Sequence, residues 1–338
     1  MKIGILSSGG DCPGINATIR GVGKTAINHF GMEVVGIRYG FQGLLDKNYT
    51  PLGDKKLSGL LNLGGTILGT SREKPFRQML ESGNDENPKT IIKNYKALGL
   101  DCLVCIGGNG TQKTAYMISQ LGLNVIGIPK TIDNDVFGTD ICFGFDSAVH
   151  IAAEAIDRLH STASSHNRVM VIELMGHKAG WITLFAGMAG GADVILLPEL
   201  GCDINKVNKA ILKRSKKGKF YSIVAVGEGL KLDGIEGNPA SRLSKQIYAG
   251  TKIETRETVL GYVQRGGSPS AYDRNLATRL GGYATELIAK HKFGRMVSIV
   301  NGQITSLPLE KVAGKTKLVT PDNDLILQGE RMGISFGV

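Results

Sequence analysis

The stretch KIGILSSGGDCPGINATIRG, Lys2 to Gly21, contains the pattern that decides the fold. A continuous apolar run leads into a glycine loop, SSGGDCPGIN, and then into a segment with helical periodicity over 15–30. Continuous apolar strands are typical of parallel sheets that are covered on both faces. The stretch therefore predicts a buried parallel strand, a loop at its carboxyl end, and a helix that returns along the sheet.

The same alternation continues along the chain. Further buried strands are predicted at EVVGIRY, CLVCIGG, NVIGIPK, RVMVIEL, DVILLPE and YSIVAVGEG. Helices are predicted at 15–30, 86–98, 111–121, 145–161 and 203–217. The run RMVSIVNGQITSL predicts a hairpin that turns at Asn301-Gly302. This order predicts an α/β fold with open parallel sheets, and a length of 338 residues suits two domains. Since no linker is visible, we expect the chain to pass between the domains more than once.

Composition narrows the classes of partner. A net charge of +10 and a pI of about 9.3 favour anionic partners. The chain lacks an aromatic-interleaved basic stripe and zinc-finger spacing, so phosphorylated small molecules fit better than nucleic acid. The N-terminus reaches Gly9-Gly10-Asp11 too soon for a signal peptide, and the apolar segment 181–200 is interrupted by glycines. We expect a soluble, cytoplasmic protein without membrane contact.

Five dispersed cysteines are typical of a reducing compartment. Cys102 and Cys105 form a C-x-x-C pattern on a predicted strand, where positions i and i+3 face opposite sides. We therefore interpret both as core residues and expect neither a redox pair nor a zinc site.

Three predicted strand ends carry polar chemistry. SSGGDCPGIN and IGGNGTQKTA each place glycines before a helix, where backbone N–H groups bind anions. Either loop alone is as well explained by a tight turn. The third, PKTIDNDVFGTD, places Asp133 and Asp135 two residues apart in a segment expected to be extended, so that they can share a face. One carboxylate can then act as a base and the other as a Mg²⁺ ligand, with Thr131 and Lys130 at phosphate oxygens.

These motifs resemble those of the 6-phosphofructokinase family over nearly the whole chain. The matching signatures are SGGDCPGINATIRG, GGNGT, PKTIDND, SSHNR, MGHKAGW, GEG and LGYVQRGGSPSAYDR. The resemblance implies two similar Rossmann-like three-layer αβα domains with mainly parallel sheets and an active site in the cleft between them. It places a donor-binding domain at 1–144 plus about 260–305, and a fructose 6-phosphate domain at 145–259 plus about 306–338. It also implies transfer of the ATP γ-phosphoryl group to the sugar 1-hydroxyl, with Mg²⁺, in a glycolytic homotetramer.

The resemblance also assigns site residues. Asp133 is similar to the catalytic base, Thr131 contacts the transferred group, and Asp135 belongs with the metal. Arg72 and Gly10 act in catalysis, Arg72 by stabilising the transition state. The positions that match the donor site are Gly10, Arg72, Gly107, Gly108, Asn109, Gly110, Thr111 and Lys130. The positions that match the sugar phosphate site are Thr131, Asp133, Met175, Gly176, Glu228, Tyr262 and Arg265, with Arg168 and Arg256 from a neighbouring subunit. A candidate effector pocket matches at Arg20, Lys24, Asp193, Lys217, Gly218 and Lys219, with His160 where an arginine is expected.

Departures from the family pattern bear on the phosphate donor. Asn109 replaces an aspartate at the metal site, Lys130 replaces a glycine, and Tyr262 replaces a histidine. Lysine at the second position is found in pyrophosphate-dependent relatives and in some ATP users. Gly110 stands where pyrophosphate users carry aspartate, so ATP is favoured and pyrophosphate is the alternative. Remoter alternatives are an NAD or lipid kinase, because GGNGT resembles their GGDGT loop, and a non-catalytic sugar-phosphate sensor.

Overall fold

The computed structural model describes residues 1–232 and 237–338, so residues 233–236 of the predicted second domain lie outside the described part. The described strands are β1 (Lys2–Ser8), β2 (Glu33–Ile37), β3 (Tyr49–Pro51), β4 (Cys102–Gly107), β5 (Val125–Pro129), β6 (Val169–Leu174), β7 (Val194–Leu196), β8 (Ser222–Gly227), β9 (Thr255–Val259), β10 (Arg295–Val300) and β11 (Gln303–Pro308). The described α-helices are α1 (Ile15–Phe30), α2 (Gly40–Leu45), α3 (Asp54–Leu57), α4 (Arg77–Ser82), α5 (Glu86–Ala97), α6 (Asn109–Gln120), α7 (Phe145–His166), α8 (Trp181–Ala189), α9 (Ile204–Lys216), α10 (Pro239–Thr251), α11 (Ala271–Ala289), α12 (Leu309–Val312) and α13 (Asp324–Met332). A 3₁₀ helix covers Gly261–Arg265.

Every predicted strand and helix is confirmed, with differences of a few residues at the ends. The predicted strands are found because they are buried along their whole length, as β4, β5, β6 and β8 are. Apolar runs do not mark β9, whose sequence TRETV is largely exposed at a sheet edge. Helix α11 is marked weakly because it contains Gly281-Gly282, and glycine disfavours helix interiors.

The first of two compact units comprises residues 1–131, 135–146 and 265–316. Its seven-stranded sheet has the order β11-β10-β5-β4-β1-β2-β3, with parallel pairing from β10 through β2. Ser8 pairs with Gly107, and Gly107 pairs with Pro129, so β1, β4 and β5 end side by side. The two glycine loops and the start of PKTIDND therefore lie side by side at the carboxyl ends of these strands.

The second unit comprises residues 132–134, 147–264 and 317–338. Its described sheet has four parallel strands in the order β7-β8-β6-β9. Leu174 pairs with Gly227, and Glu173 pairs with Val259, so β6, β8 and β9 also end together. Three signature segments therefore begin together at the carboxyl ends of these strands: MGHKAGW after β6, GEG at the end of β8, and LGYVQR after β9. The mainly parallel α/β prediction is thus confirmed in both units.

The predicted hairpin is confirmed and carries the chain further along the first unit than expected. Val300 pairs with Gln303 across the turn, where Asn301 and Gly302 have φ of 51° and 72°. Two successive positive φ values are those of a type I′ turn. β11 pairs with β10 over its whole length, and the segment stays with the first unit until Thr316, whereas the family resemblance implies a boundary near 305. The ligands assigned to each domain stay predictions.

Candidate active site

The first glycine loop is held by hydrogen bonds to the segment that carries Arg72. The Gly9 amide donates to Ser71 O at 2.9 Å, and Thr70 Oγ1 donates to Gly9 O at 2.6 Å. Arg72 follows directly and is exposed. The structure therefore brings Arg72 to the loop that contains Gly10, as the sequence predicts for two residues of one donor site.

The second glycine loop leads into the N-terminus of α6. Gly107 ends β4, Gly108 has the N-cap position, and Thr111 Oγ1 donates to Ser8 O at 3.3 Å. A Cβ at Gly107 would lie 2.2 Å from Thr111 Oγ1, so this position requires glycine. The two predicted phosphate loops are thus joined by a direct contact, with the amide end of a 12-residue helix beside them.

Lys130 links the end of β5 to the first glycine loop. Its side chain is buried, and Nζ donates a hydrogen bond to Gly10 O. A Cβ at Gly9 would lie 3.8 Å from the same nitrogen. An ammonium group held between the ends of β5 and β1 suits an anionic ligand, and the role of Lys130 at the phosphate donor stays a prediction.

Asn109 and Asp135 form a polar pair beside these loops. Asn109 Nδ2 donates to Asp135 Oδ2 at 2.9 Å and to Asp135 O at 3.1 Å. The buried Asn109 Oδ1 accepts no hydrogen bond from the residues that the structure describes. A carboxylate with an adjacent carboxamide oxygen fits Mg²⁺, which prefers one or two protein oxygens together with phosphate oxygens and water. In the described part of the chain, no group of three or more His, Cys, Asp or Glu side chains could hold a metal.

The segment around Asp133 is not extended, so that expectation is wrong. Asn134 has φ of 50°, in the left-handed region, and interrupts the alternation on which a shared face for Asp133 and Asp135 depends. Asp133 belongs to the second unit with Ile132 and Asn134, whereas Thr131 and Asp135 belong to the first. Asp133 is half-buried and Thr131 is buried. The roles assigned to both stay predictions.

A cavity of about 240 Å³ lies beside Gly110. Its apolar wall is formed by Phe76, Leu80 and Met117, and its other lining residues are Lys74, Arg77, Glu81, Gly110, Lys113 and Thr114. A Cβ at Gly110 would meet no atom within 4 Å. The motifs do not indicate this cavity, because its apolar wall is formed by residues far apart in sequence. Phe76 precedes α4 and Leu80 belongs to it, whereas Met117 belongs to α6, more than thirty positions later.

The second unit fixes the loop Met175–Gly180, which we call the sugar loop after the residues predicted to hold the sugar. Glu228 Oε1 accepts from the Gly176 and His177 amides at 3.2 and 2.7 Å. Gln264, which the sequence does not single out, accepts from the Met175 amide at 3.3 Å. Gly176 has φ of 149°, and a Cβ there would lie 2.4 Å from Ala179 O. Of the predicted sugar residues, Gly176 is therefore in direct contact with Glu228, and Met175 precedes it in the same loop.

The predicted phosphate-binding arginines fall in two places. Arg168 and Arg256 share Glu254, at 2.8 and 2.5 Å, and the Arg168 hydrogen bond lowers the pKa of that carboxyl. Tyr262 is 74% exposed, which leaves its hydroxyl accessible. Arg265 belongs to the first unit, where Nη1 donates to Asp11 O at 3.1 Å and would lie 2.7 Å from a Cβ at Gly10. Arg168 and Arg256 are thus brought together, and Arg265 packs on the first glycine loop.

The candidate effector residues belong partly to the first unit and partly to the second. Arg20 and Lys24 belong to the first unit, where Lys24 pairs with Asp54 at 2.5 Å. In the second unit, Asp193 pairs with Arg214 at 2.7 Å, and burial raises the pKa of Asp193. Lys217 and Lys219, which flank Gly218 in sequence, line a cavity of about 510 Å³ together with three lysines of α9. His160 contacts Gly190 O at 2.7 Å and the Tyr221 hydroxyl at 3.4 Å. The effector role stays a prediction.

The prediction that Cys102 and Cys105 are core residues is confirmed. Cys102 and Cys105 are fully buried free thiols, and burial raises the pKa of both.

None of the helices in the described part of the chain is long and apolar enough to cross a membrane.

Glu173, at the end of β6, yields a pH-dependent prediction. Its side chain is buried, Oε2 accepts from the Ala240 amide at 2.9 Å, and burial raises the pKa above its ordinary value of 4.5. A carboxyl whose folded-state pKa is raised contributes full stability below the unfolded pKa and loses it as pH rises through the folded pKa. We expect Glu173→Gln to raise the melting temperature at pH 8, and this difference to shrink towards zero below pH 4.5.

Thermal unfolding between pH 4 and pH 8 checks this prediction, with roughly 0.5 pH steps resolving the transition. Glu257→Gln, an exposed charge removal on β9, is the control for a change in net charge alone. A Glu173→Gln difference that grows as the pH falls would contradict the sign.

Parallel sheets with glycine loops at the carboxyl ends of their strands are typical of α/β proteins that bind phosphate groups. A protein-family model described as Phosphofructokinase matches residues 2–288. The chain therefore belongs to the phosphofructokinase family. The family resemblance in the sequence is thus confirmed.

Similar proteins differ in the phosphate donor that their names give. An ATP-dependent 6-phosphofructokinase 3 of Bacteroides thetaiotaomicron is 64% identical over 100% of both chains. A pyrophosphate–fructose 6-phosphate 1-phosphotransferase of Dictyoglomus thermophilum is 40% identical over 95% of this chain and 96% of its own. Phosphofructokinase from Saccharomyces cerevisiae has a TM-score of 0.83 at 31% identity over 92% of this chain, which spans 45% of the yeast chain.

Proposed function

We propose that the protein is an ATP-dependent 6-phosphofructokinase. It transfers the γ-phosphoryl group of ATP to the 1-hydroxyl of fructose 6-phosphate, forming fructose 1,6-bisphosphate and ADP, a step of glycolysis. Membership of the family and the ATP-dependent name of a relative identical at 64% of positions support this proposal. The five free cysteines fit a reducing compartment such as the cytoplasm.

The observation that carries ATP as the donor is the open space at Gly110. No atom lies within 4 Å of a Cβ at this position, and the adjoining cavity of about 240 Å³ has an apolar wall of Phe76, Leu80 and Met117. A nucleotide needs apolar contact for its base and space for its α-phosphate, whereas pyrophosphate needs neither. The Lys74, Arg77 and Lys113 side chains at the same cavity suit the charge of the nucleotide.

The donor phosphates would be held by backbone amides and fixed cations of the first unit. Gly10, Gly107, Gly108 and Thr111 offer N–H groups where β1 and β4 end, and Lys130 adds a buried positive charge. Arg72 would contact the phosphoryl group as charge develops on it. Mg²⁺, held by Asp135 and Asn109, would neutralise phosphate charge when bound.

Asp133 would act as the base. Its carboxylate accepts the proton of the sugar 1-hydroxyl as that oxygen forms a bond to the γ-phosphorus. The bond between this phosphorus and the bridging oxygen of ADP breaks, and Thr131 donates a hydrogen bond to the group in transit. Met175, Gly176 and Glu228 would hold the sugar through the sugar loop.

The 6-phosphate would be bound by guanidinium groups and the Tyr262 hydroxyl. Arg265 would act within the same chain, whereas the pair formed by Arg168 and Arg256 on Glu254 would serve a neighbouring subunit of a homotetramer. For regulation, we propose that a phosphorylated effector binds near Lys217 and Lys219, where cationic side chains outnumber carboxylates.

A coupled assay of fructose 6-phosphate with ATP or with pyrophosphate tests the proposal. We expect kcat/KM to be at least about 10²-fold higher with ATP, because pyrophosphate leaves the cavity beside Gly110 unfilled. Pyrophosphate is the second candidate, supported by Lys130 and by the relative from Dictyoglomus thermophilum. Turnover with pyrophosphate and none with ATP would refute the donor assignment.

The same preparation separates the remoter alternatives. Phosphorylation of NAD or diacylglycerol, without turnover of fructose 6-phosphate, would favour the kinases that share a GGDGT-like loop. Binding of fructose 6-phosphate without turnover by either donor would favour a sensor.

A further inference from the structure

The sugar loop is held at its two ends by different carboxylates. Glu228 binds the amides near its start, at Gly176 and His177. Glu199, three residues after β7, binds the amide at its end: the Gly180 N–H donates to Oε1 at 2.8 Å and to Oε2 at 3.1 Å. The known motifs include the first carboxylate but not the second, which lies outside every matched signature.

The Glu199 carboxylate also binds a segment from the last part of the chain. Oε1 accepts from the Val319 amide at 3.0 Å in addition to the Gly180 amide. The same segment has a second attachment beside it, because Trp181 Nε1 donates to Lys317 O at 3.0 Å and Lys317 Nζ lies 5.3 Å from the centre of the indole ring. One side chain therefore joins the sugar loop to a segment more than a hundred residues later.

Packing leaves little tolerance in this arrangement. A Cβ at Gly180 would lie 2.8 Å from Glu199 Oε2, so the carboxylate lies directly on the glycine backbone. Gly180 is also the N-cap of α8, where a negative charge is stabilised by the helix dipole. A glutamine would present an N–H₂ group to one of these donors, and it would lack the negative charge at the helix end.

We propose that Glu199 is a positioning residue for binding of the sugar phosphate. Resting on the proposed function, the inference adds that Glu199 sets the end of the sugar loop and thereby the position of Met175 and Gly176. Glu199 itself need not touch the sugar. Because the loop would bind substrate and transition state equally, its displacement weakens sugar binding and leaves the chemical step unchanged.

Glu199→Gln tests the inference through steady-state kinetics and through calorimetric titration of fructose 6-phosphate. We expect KM and Kd for fructose 6-phosphate to rise about tenfold, with KM for ATP and kcat changed by less than about twofold. A purely structural role would lower stability without this selectivity. Unchanged KM and Kd for the sugar, or an equal rise in KM for ATP, would overturn the inference.

Asp203→Ala is the matched control. Asp203 is a carboxylate of the same unit that caps α9 through the Asn205 amide at 2.9 Å, and it contacts no residue of the sugar loop in the described structure. Loss of such a cap typically costs about 1 kcal/mol. We expect a lower melting temperature with both KM values unchanged, which separates lost stability from lost positioning.

Two further measurements keep the test decisive. If Glu199→Gln does not fold, Trp181→Phe removes the neighbouring attachment to Lys317, and KM for the sugar must then rise about threefold. If the wild-type protein binds fructose 6-phosphate but transfers no phosphoryl group to it, the proposed function fails. The inference about Glu199 is then still tested by comparing the Kd for fructose 6-phosphate between Glu199→Gln and the wild type. If the wild-type protein does not bind the sugar at all, both fall.

Discussion

Asp133→Ser is expected to lower kcat by about 10²-fold or more, while the Kd for fructose 6-phosphate changes by less than about threefold. The carboxylate would accept the proton of the attacking hydroxyl, and a serine hydroxyl is too weak a base to replace it. Sugar binding would persist because the Gly176 amide donates to Glu228 and the Met175 amide donates to Gln264, which hold the sugar loop without Asp133. Steady-state kinetics with ATP and a calorimetric titration of the sugar measure the two quantities.

Asp140→Ser is the control for this variant, since it makes the same substitution within the same acidic stretch. Asp140 is exposed, accepts from the Gly302 amide at 3.2 Å, and belongs to the first unit rather than to the segment 132–134. We expect its kcat to stay within about twofold of the wild type. Near-normal turnover in Asp133→Ser, or an equal loss in Asp140→Ser, would remove Asp133 from its role.

Gly110→Asp is expected to lower kcat/KM for ATP by about 10²-fold, which corresponds to about 2.7 kcal/mol, while KM for fructose 6-phosphate is unchanged. A carboxylate here would project into the open space beside the cavity, where the α-phosphate is expected, and would repel it. The substitution leaves the fold intact, because a negative charge in the first turn of α6 is favourable.

Gly110→Ala separates charge and bulk from the mere presence of a Cβ. Because no atom lies within 4 Å of that Cβ, we expect kcat/KM for ATP to change by less than about threefold. Equal losses in the two variants would indicate a backbone requirement, and no loss in Gly110→Asp would mean that ATP does not approach this position.

Continuous apolar runs made the sheets predictable, because β4, β5, β6 and β8 are buried on both faces. Glycine loops at the ends of β1 and β4 then predicted the donor residues, whereas the sugar residues were predicted only from the family resemblance. Strand β9 escaped this reasoning since an exposed edge strand needs no apolar face. The conformation of Asn134 escaped it too, because left-handed backbone at a single asparagine has no periodic signature.

Contacts between side chains and segments that are far apart in sequence could not be predicted from the motifs. Glu199 meets Gly180 and Val319 only because β7, α8 and the last segment converge in the folded second unit. The cavity beside Gly110 likewise depends on where α4 packs. Helix α4 contains no buried residue, so its sequence does not predict that position. A motif reports which chemistry is present, whereas tertiary packing decides which neighbours orient it.

The most direct test of the account is a crystal structure of the protein with fructose 6-phosphate and a non-hydrolysable ATP analogue. We predict that an Asp133 carboxylate oxygen lies about 2.6–3.2 Å from the sugar O1, in line for proton transfer as that oxygen approaches the γ-phosphorus. A bound sugar whose O1 instead contacts another base, with Asp133 directed away from it, would contradict the account.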